Sequence, residues 1–588
     1  MLAAKKNDTR KRRLSENLFD HVICGGGSAG SVLAARLSED PGRRVCLVEA
    51  GPDTPPDAVP ADIRLSYHGH AVYNPDFLWR GLKVTLPHRP HNQPGEGPKP
   101  RSYEQARVMG GGSSINGQLG NRGVPSDYDD WAREGAAGWS WEEVLPFFRR
   151  LETDLDFGET PLHGGQGPIP VRRIPRDSWP GYSRAAAAAW EASGLPYLPD
   201  QNGDFRDGWF ALTTANAAAD HRVSAAMGYL TEAVRARPNL TILARHQALG
   251  LDFNEAGRAV AVRLRAPDGA ERRLEARRDI ILSMGAIRSP AFLQSQGIGD
   301  PADFAPHGIA TRNHRAGVGR NLQEHPTMGM AALLPAESRM PGALTQRNIH
   351  AGVRWSSGLP GIAGGDMFAL AIARPSWHAV GARLGAIQAW VNRSYSQGSV
   401  RIRSADATEH PEVNLNLLSD ARDAERLMDA LRRIALWHAL PSLRGAIRYA
   451  FPAVYNEAVR KVAVRGLKND IMTRLLAPIL ELPGPIHRAA VHAFITEGPP
   501  IGQLLGDDDR LEAFVRANAT GQWHVSCTCR MGREDDPMAV TDSAGRVHGT
   551  PGLRVCDASV FPFVPSANTN FPTLMTAEKM AAGIRAEG

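Results

Sequence analysis

Residues 19–49 of this chain read FDHVICGGGSAGSVLAARLSEDPGRRVCLVE, and this stretch decides the fold. A β-type run at 19–24 is followed by a glycine-rich turn, an apolar helix face and a second buried-strand run at 44–48. Glu49 follows the second run directly. The order of strand, turn, helix, strand and acid predicts an α/β unit that binds a dinucleotide.

The turn has glycine at all three positions of the G-x-G-x-x-G pattern. The first glycine permits the tight turn, the second lets the backbone approach a pyrophosphate, and the third allows the helix to pack closely on the strand. The helix N-terminus attracts phosphate, and the acid after the second strand is placed to hold ribose hydroxyls. The cofactor contacts predicted from this unit are Gly25, Gly27, Ser28, Ala29, Gly30, Glu49 and Ala50.

The composition is that of a large globular protein. Of the 588 residues, 42% are hydrophobic and 22% are charged, so the chain can bury a sizeable core. Its 59 glycines and 43 prolines stay below the share that marks low-complexity sequence, which excludes disordered and fibrous classes. No window approaches the roughly 20 uninterrupted apolar residues of a membrane span, so we expect no integral membrane segment.

The charge balance bears on the class of binding partner, and the cysteines bear on the cellular compartment. Lysine and arginine number 68 against 62 acidic residues, and this small excess does not predict nucleic-acid binding. The basic cluster within residues 1–17 is interpreted as a disordered tail, because no apolar signal segment follows it. Five cysteines, an odd and sparse set, indicate reduced thiols and a cytoplasmic location.

The middle of the chain has a different pattern from its ends. Alternating runs at 385–391 and 399–403 indicate antiparallel sheet, and residues 421–439 indicate a helix. A strand is predicted again at 552–557, so the N-terminal sheet is expected to be completed by the C-terminus. We therefore predict an α/β fold (α+β overall), with a discontinuous Rossmann-like dinucleotide-binding domain interleaved with a substrate domain built on an antiparallel sheet with helices. The predicted ranges are 18–150, 215–330 and 520–588 for the first domain, and 151–214 and 331–519 for the second.

Residues 523–532, WHVSCTCRMG, form the densest cluster of chemically useful side chains. His524 is the first candidate for a general base, because imidazole exchanges a proton near neutral pH. A metal site from His524, Cys527 and Cys529 is a second interpretation, although C-x-C differs from the usual zinc spacing and no fourth ligand is evident nearby. Cys527 as a covalent nucleophile beside His524 is a third, without an accompanying acyl-transfer motif.

Two further runs allow a functional and a purely structural interpretation. Residues 106–117, ARVMGGGSSING, offer successive backbone N–H groups to an anion or a planar ring, or form a flexible turn. Residues 565–573, PSANTNFPT, precede a helix predicted at 573–585. Their Asn and Thr side chains serve as turn and cap residues, or they hold a cofactor ring and a substrate oxygen.

Together these motifs resemble those of the glucose-methanol-choline (GMC) family of flavoprotein oxidoreductases, over residues 19–584. The runs that carry the resemblance, in the family's order, are 107–116, 285–299, 317–325, 524–532 and 557–573. Within the family, the runs at 103–105, 121–123, 127–129 and 414–420 are most similar to those of bacterial 5-hydroxymethylfurfural oxidases and aryl-alcohol oxidases.

The resemblance implies FAD as the cofactor on the glycine fingerprint. It places Glu49 on the adenosine ribose, the backbone near Ala248 beside adenine, Ser114 and Asn116 beside the flavin, and Asp557 near the ribityl and phosphate region. The other cofactor contacts that it implies are Arg107, Gly111, Gly112, Gly117, Trp523, Ala558, Asn568, Thr569, Asn570 and Thr573.

The family's paired catalytic positions map onto His524 and Asn570. The resemblance implies that His524 accepts the hydroxyl proton while hydride passes from the alcohol carbon to flavin N5, and that Asn570 binds the alcohol oxygen. The implied reaction converts a primary, aromatic or furanic alcohol to its aldehyde, with O2 or another electron acceptor. The alternatives are a choline or aliphatic-alcohol dehydrogenase with a quinone-type acceptor, and a non-oxidising flavin lyase or photodecarboxylase on the same fold.

The chain departs from the family's pattern at a few positions. Ile115 stands where some members carry a histidine bonded to FAD, so we expect non-covalent FAD. Gln296 replaces a usual serine on a helix surface, where little effect is expected. Cys527 stands where glycine is usual, and Gln522 stands where many relatives are apolar. The last two are expected to alter the pocket or the path of the acceptor.

Overall fold

The computed structural model describes residues 17–86, 100–218, 220–342 and 346–587. The basic tail predicted for residues 1–17 lies, except for Asn17, outside the described residues. Among the helices of these four ranges, none combines the length and the apolar character needed to cross a bilayer.

The strands of the described ranges are, in chain order, β1 (Leu18–Cys24), β2 (Val45–Val48), β3 (Lys83–Val84), β4 (Arg101–Ser102), β5 (Glu152–Asp154), β6 (Ile169–Arg172), β7 (Gly208–Ala211), β8 (Thr214–Ala218), β9 (His221–Arg222), β10 (Leu240–Leu243), β11 (Gln247–Phe253), β12 (Ala259–Arg265), β13 (Glu271–Leu282), β14 (Ile298–Gly299), β15 (Asn313–His314), β16 (Pro326–Leu333), β17 (Ile349–Trp355), β18 (Met367–Ile372), β19 (Leu384–Val391), β20 (Ser399–Arg401), β21 (Glu412–Asn414), β22 (Tyr449–Ala453), β23 (Thr520–Gly521) and β24 (Leu553–Val555).

The α-helices are α1 (Ser28–Leu37), α2 (Ala61–Arg64), α3 (Pro125–Arg133), α4 (Trp141–Leu151), α5 (Gly181–Ala192), α6 (Ala225–Tyr229), α7 (Glu232–Arg235), α8 (Gly285–Ser295), α9 (Pro301–Phe304), α10 (Ala421–Ala439), α11 (Pro441–Arg444), α12 (Glu457–Ala463), α13 (Leu467–Leu476), α14 (Gly484–Phe494), α15 (Ile501–Leu505), α16 (Asp508–Asn518) and α17 (Asn570–Ala586).

The first sheet is a parallel dinucleotide-binding sheet. Its parallel strands lie in the order β10, β2, β1, β13, β24, which is the order 3-2-1-4-5 of a Rossmann fold. Every residue of β2 is buried, so both faces of the sheet are covered, as its unbroken apolar run predicts. β24 comes from the far end of the chain, which confirms a Rossmann-like α/β sheet completed by the C-terminus.

The long strand β13 joins this parallel sheet to an antiparallel extension. Its exposed residues Arg272 and Arg273 pair antiparallel with β12, whereas its buried residues Ile280 and Ile281 pair parallel with β1. β13 leads directly into α8.

The second large sheet is antiparallel, in the order β22, β16, β19, β18, β17, β7, as the alternating runs predict. Alternate residues of β16 face two different cores. Ala332 faces the core that helix α10 covers, whereas Leu333 packs with Leu480 and Val491 on the opposite face. The predicted domain boundary at 330 falls within β16, and the division into two domains stays a prediction.

Helix α17 begins at Asn570, three residues before its predicted start. Pro572 lies in its first turn, where proline is tolerated because the N–H there has no intrahelical partner. Helix α10, by contrast, has the predicted bounds, and its N-cap Asp420 accepts a hydrogen bond from the Arg422 backbone N–H. The earlier start of α17 determines which asparagine reaches the site described below.

Candidate active site

A cavity of about 390 Å³ lies at the carboxyl ends of the parallel strands β1 and β2 and extends to His524. In an open α/β sheet this edge is where ligands bind. The residues predicted from the sequence that line the cavity are Gly25, Gly27, Ser28, Ala29, Glu49, Ala50, Gly111, Gly112, Asn116, Gly117, Ala248, Trp523, His524, Asp557, Ala558, Asn568, Thr569, Asn570 and Thr573.

The glycine turn is shaped by close backbone contacts. Gly25 has φ of +109°, and a Cβ there would lie 2.3 Å from the Ser283 carbonyl oxygen. A Cβ on Gly30 would lie 1.9 Å from the Gly25 carbonyl oxygen. Gly30 therefore packs helix α1 onto the turn, as predicted for the third glycine, and does not line the cavity.

Two carboxylates hold the turns at the nucleotide end of the cavity. Glu49 accepts hydrogen bonds from the Gly26 N–H (2.8 Å) and the Gly51 N–H (2.7 Å). Asp557 accepts from the Gly285 N–H (2.9 Å) and the Ser289 hydroxyl (2.6 Å), which fastens the end of β24 to the start of α8. Burial raises the pKa of both carboxyls, although these donors oppose the rise.

Arg107 and Ser114, both predicted to contact the cofactor, do not line the cavity. Residues 111–114 form a 3-10 turn that points the Ser114 hydroxyl inward, where it donates to the Met109 carbonyl at 2.7 Å. The Arg107 guanidinium lies over the Trp79 ring, 4.9 Å from its centroid. Neither residue is therefore placed on the cavity wall, and their contacts with the cofactor stay predictions.

At the other end of the cavity two histidines and an asparagine form a hydrogen-bonded row. His524 Nδ1 lies 2.8 Å from His325 Nδ1, and His524 Nε2 lies 3.1 Å from Asn568 Nδ2. The Asn568 amide can only donate at this contact, so His524 Nε2 is the acceptor. The imidazole proton of neutral His524 is therefore on Nδ1, from which it donates to His325.

Both histidines are neutral at physiological pH. Burial lowers the pKa of His524 well below 6.5, and the neighbouring His325 lowers it further. Burial also lowers the pKa of His325 to about 3. A neutral imidazole is able to accept a proton at Nε2 from a bound ligand that replaces the Asn568 amide there.

Glu324 holds the backbone of both histidines in place, and no role was predicted for it from the sequence. Its carboxylate accepts from the His524 N–H (2.8 and 2.9 Å), the His325 N–H (2.8 Å) and the Tyr103 hydroxyl (3.1 Å). Burial raises its pKa to about 7. The run 317–325 pointed to this residue, but nothing in the run connects it with position 524.

The catalytic pairing of His524 with Asn570 stays a prediction, but in the structure Asn570 has a different hydrogen-bond partner. Asn570 Oδ1 accepts a hydrogen bond from the Ser28 hydroxyl at 2.8 Å, at the glycine turn. Asn568, two residues earlier and outside helix α17, is the asparagine beside His524. Asn570 still lines the cavity, but on its nucleotide side.

The cavity wall around His524 is aromatic and aliphatic. Trp390 lies 6.4 Å from the His524 ring, and Trp523 packs against Tyr103 and Tyr455. Other apolar residues of the cavity lining are Val72, Ile115, Ile349, Leu370 and Ile372, and the lining also includes the polar side chains of His68, Tyr73, Gln118 and Gln388.

Glu104 is the carboxylate at this end of the lining. It accepts from the Trp523 indole N–H at 3.2 Å and pairs with Arg460 at 2.5 Å. Its charge is therefore balanced within the protein.

The two unusual positions near His524 have different surroundings. Gln522 lines the cavity and donates to the Thr327 hydroxyl at 3.0 Å. Cys527 is buried outside the lining, with its Sγ 3.2 Å from the Ser526 hydroxyl, and burial raises its pKa so that it stays a thiol. Cys529 is likewise buried, which favours neither a metal site nor a nucleophile at 527–529.

The cavity has the features that an extended dinucleotide needs. A Cβ on Gly112 would meet no protein atom within 4 Å, so this backbone faces open cavity. The buried Ser283 hydroxyl and Asn568 Oδ1, both on lining residues, have no hydrogen-bond partner among the described residues. Unsatisfied polar atoms are costly when buried, so they mark places where a bound group completes the site. FAD fits this combination of glycine edge, helix N-terminus and acidic strand end.

Comparisons with known proteins agree with this geometry. Family models described as GMC oxidoreductase match residues 19–327 and 394–577. The chain is 41% identical over 579 residues to a protein named 5-(hydroxymethyl)furfural oxidase from Methylovorus sp. (strain MP688), covering 97% of this chain and 99% of that one. It is 32% identical to an oxygen-dependent choline dehydrogenase of Paraburkholderia phymatum, covering 96% and 92%.

A solved structure supports the same fold. The crystal structure of pyridoxine 4-oxidase from Mesorbium loti has a TM-score of 0.78 and 26% sequence identity to this chain. It covers 97% of this chain and 99% of its own.

Proposed function

Since the chain belongs to the GMC oxidoreductase family and is an FAD-dependent alcohol oxidoreductase, we propose that its substrate is a primary alcohol on a furan or benzene ring. The observation that carries the proposal is the apolar, aromatic wall around the neutral base His524. A flat ring with a CH2OH group matches this wall, because aromatic rings pack favourably against one another at such distances.

FAD, when bound, supplies the acceptor for the hydride of the alcohol carbon. The protein's own contribution is to hold the alcohol oxygen between two groups. His524 Nε2 takes the hydroxyl proton, and the Asn568 amide donates a hydrogen bond to the oxygen as negative charge develops there. His325, which accepts from His524 Nδ1, keeps the imidazole in the required tautomer, and Glu324 fixes the backbone of both histidines.

The balanced charge of Glu104 argues against choline as the substrate. A quaternary ammonium group is held best where aromatic faces and an unpaired carboxylate act together, and this wall supplies only the aromatic faces. Glu104 is engaged by Arg460 and Trp523 and offers no free charge to a cation. The 41% identical relative is named an oxidase, so alcohol oxidation is favoured over a lyase or photodecarboxylase on the same fold.

We further propose that FAD is held non-covalently, that O2 is the electron acceptor, and that the protein is cytoplasmic. Ile115 lines the cavity with a side chain that cannot bond to flavin. The 41% identical relative is named an oxidase, which favours O2 over a quinone or dye. All five cysteines are free and buried, as suits a reducing compartment.

A panel of 5-hydroxymethylfurfural, benzyl alcohol, hexanol and choline tests the substrate. We expect anaerobic bleaching of the flavin to be fastest with the two ring alcohols, with peroxide released on admission of air. Reduction of an added dye without peroxide would overturn the oxygen proposal alone. Fastest bleaching by choline, or no bleaching by any alcohol, would overturn the substrate proposal.

Acid precipitation tests whether FAD is held non-covalently. It should release all flavin to the supernatant, and flavin that stays with the precipitated protein would overturn this proposal.

Asn568→Ala and Asn570→Ala form a matched pair of variants. We expect Asn568→Ala to slow flavin reduction by about 100-fold, because the loss of one donor to a developing oxyanion has about this effect. Asn570→Ala should instead weaken FAD binding, since it removes the contact with Ser28 at the glycine turn. A larger loss of reduction rate in Asn570→Ala, with FAD fully bound, would restore the pairing predicted from the sequence.

A further inference from the structure

The exposed large apolar side chains of the described residues are concentrated in one segment. Leu467, Leu475 and Phe494 are 75%, 72% and 68% exposed. The other exposed large apolar residues of this segment are Ile471, Met472, Ile479, Leu482 and Ile486. We call this surface the 467–494 face. A contiguous apolar surface of this kind marks an interaction site, whereas single exposed apolar residues do not.

The face is the outer side of a helical layer. Helix α13, a 3-10 turn (Ala477–Glu481) and α14 bury Leu480, Ala490 and Val491 against the second sheet. On the opposite side of α13, Leu467, Ile471 and Leu475 recur every four residues and form one exposed stripe. The buried side already supplies the packing that holds the layer, so the second apolar stripe is not needed for the fold.

Positive charge surrounds the stripe. Within the face the cations are Lys468, Arg474 and Arg488, against the acids Asp470 and Glu481, and Lys461 and Arg465 lie just before it. Arg465 and Arg474 are paired with Asp62 and Asp470. Both acids are already paired: Asp470 with Arg474, and Glu481 with Arg339, Arg383 and Arg448. The 467–494 face therefore combines exposed apolar side chains with a net positive rim.

We propose that the 467–494 face docks the enzyme on an anionic lipid surface. Apolar side chains that enter the acyl boundary, flanked by Lys and Arg that contact anionic headgroups, are the pattern of helices that lie in a membrane interface. A second copy of the chain is disfavoured as the occupant, because two such faces would bring like charges together. The basic N-terminal tail is disfavoured for the same reason.

The face is joined to the wall of the active-site cavity. Helix α12 directly precedes α13, and its Arg460 pairs with Glu104, which lines the cavity. Arg465, between the two helices, pairs with Asp62 at 3.2 Å, on the segment that leads to the lining residue His68. A membrane contact at 467–494 would thus hold the cavity close to the lipid surface.

Flotation of the FAD-loaded full chain with vesicles tests the proposal. We expect it to float with equimolar phosphatidylglycerol and phosphatidylcholine, less with phosphatidylcholine alone, and less as salt is raised. The double variant Leu475→Ser, Phe494→Ser should bind the anionic vesicles at least about 10-fold more weakly, because it removes two exposed apolar anchors. Its turnover of a soluble alcohol should be unchanged.

Leu436→Ser is the matched control. Leu436 is 66% exposed on α10, which covers the opposite face of the second sheet, so this variant should bind vesicles as the unchanged chain does. The proposal is overturned if the unchanged chain fails to float at low salt, or if the double variant floats equally well. It is also overturned if light scattering shows a dimer that the double variant converts to a monomer and vesicles are not bound, which would make a second copy the occupant.

Discussion

His524, half-buried in the cavity wall, and His163, fully buried, both belong to hydrogen-bonded clusters, yet their pKa values move in opposite directions. Burial in an apolar wall lowers the pKa of His524. His163 lies 2.9 Å from each of Glu152, Asp154 and Asp200, and these carboxylates raise its pKa to about 10 against the effect of burial. The immediate charged neighbours decide the protonation state, and burial alone does not.

The two clusters have correspondingly different uses. In the His163 cluster, three carboxylates face three cations, because Arg122 pairs with Glu152 and Arg173 pairs with Asp154 and Asp200. Glu152, Asp154 and His163 are close enough to hold a metal ion, but the arginines already balance these carboxylates. The cluster is therefore interpreted as a structural ion network, while the His524 row, without a charged partner, is free to exchange a proton.

The largest expected effect comes from removing the neutral histidine. His524→Ala should slow anaerobic flavin reduction by the best alcohol about 100- to 10,000-fold, because a positioned general base contributes on this order. FAD should remain bound, since the predicted contacts at the glycine turn, Glu49 and Asp557 lie at the other end of the cavity, and the visible absorbance of the purified variant measures this. His438→Leu, at a buried histidine far from the row in the chain, should leave the rate unchanged. A rate loss below about tenfold in His524→Ala would remove the residue from the role of base.

Removing the charged histidine should affect stability and not chemistry. His163→Leu leaves three carboxylates facing two arginines in a buried site, and breaking such a network costs about 3–5 kcal/mol. Denaturant unfolding measures this loss, while turnover per folded molecule should stay unchanged. In the control His438→Leu, only hydrogen bonds of a neutral histidine are lost, at about 1 kcal/mol.

The stability given by His163 should also depend on pH. Because its folded pKa is raised from 6.5 to about 10, the contribution is complete below pH 6.5 and is lost as pH rises towards 10. The difference between the unchanged chain and His163→Leu should therefore shrink with rising pH. A constant difference across this range would contradict a protonated His163.

Local features of the sequence predicted the nucleotide end of the site well. The glycine turn and Glu49 are determined by residues adjacent in the chain, and so are the bounds of α10. The choice between Asn568 and Asn570 could not be made in this way, because it depends on where α17 begins. A start at Asn570 turns that side chain towards Ser28 and leaves Asn568 in the preceding turn, facing His524.

Long-range contacts explain what the sequence analysis missed. Glu324 and His524 are 200 positions apart, and Glu152 and Asp200 approach His163 only after the chain has folded. A sequence pattern carries no signal for such pairs unless the partners recur at fixed local spacing. The orientation of the Ser114 hydroxyl was not predictable for a related reason. A run of glycine and serine is as typical of an open loop as of the 3-10 turn that buries this hydroxyl.

The smallest effect is expected at Glu324, a buried carboxyl whose pKa of about 7 lies between the lowered pKa of His524 and the raised pKa of His163. Because the folded chain holds this proton more tightly than the unfolded chain, the free energy of unfolding should fall as pH rises from about 4.5 to about 7, by up to roughly 3 kcal/mol at about 1.4 kcal/mol per pKa unit. Glu324→Gln, which is neutral throughout, should remove this part of the pH dependence. Other buried acids, such as Asp127 and Asp557, are common to both chains, so the difference between their unfolding curves isolates Glu324. Parallel curves would mean that the pKa of Glu324 is the same in the folded and the unfolded protein, against the raised pKa of about 7.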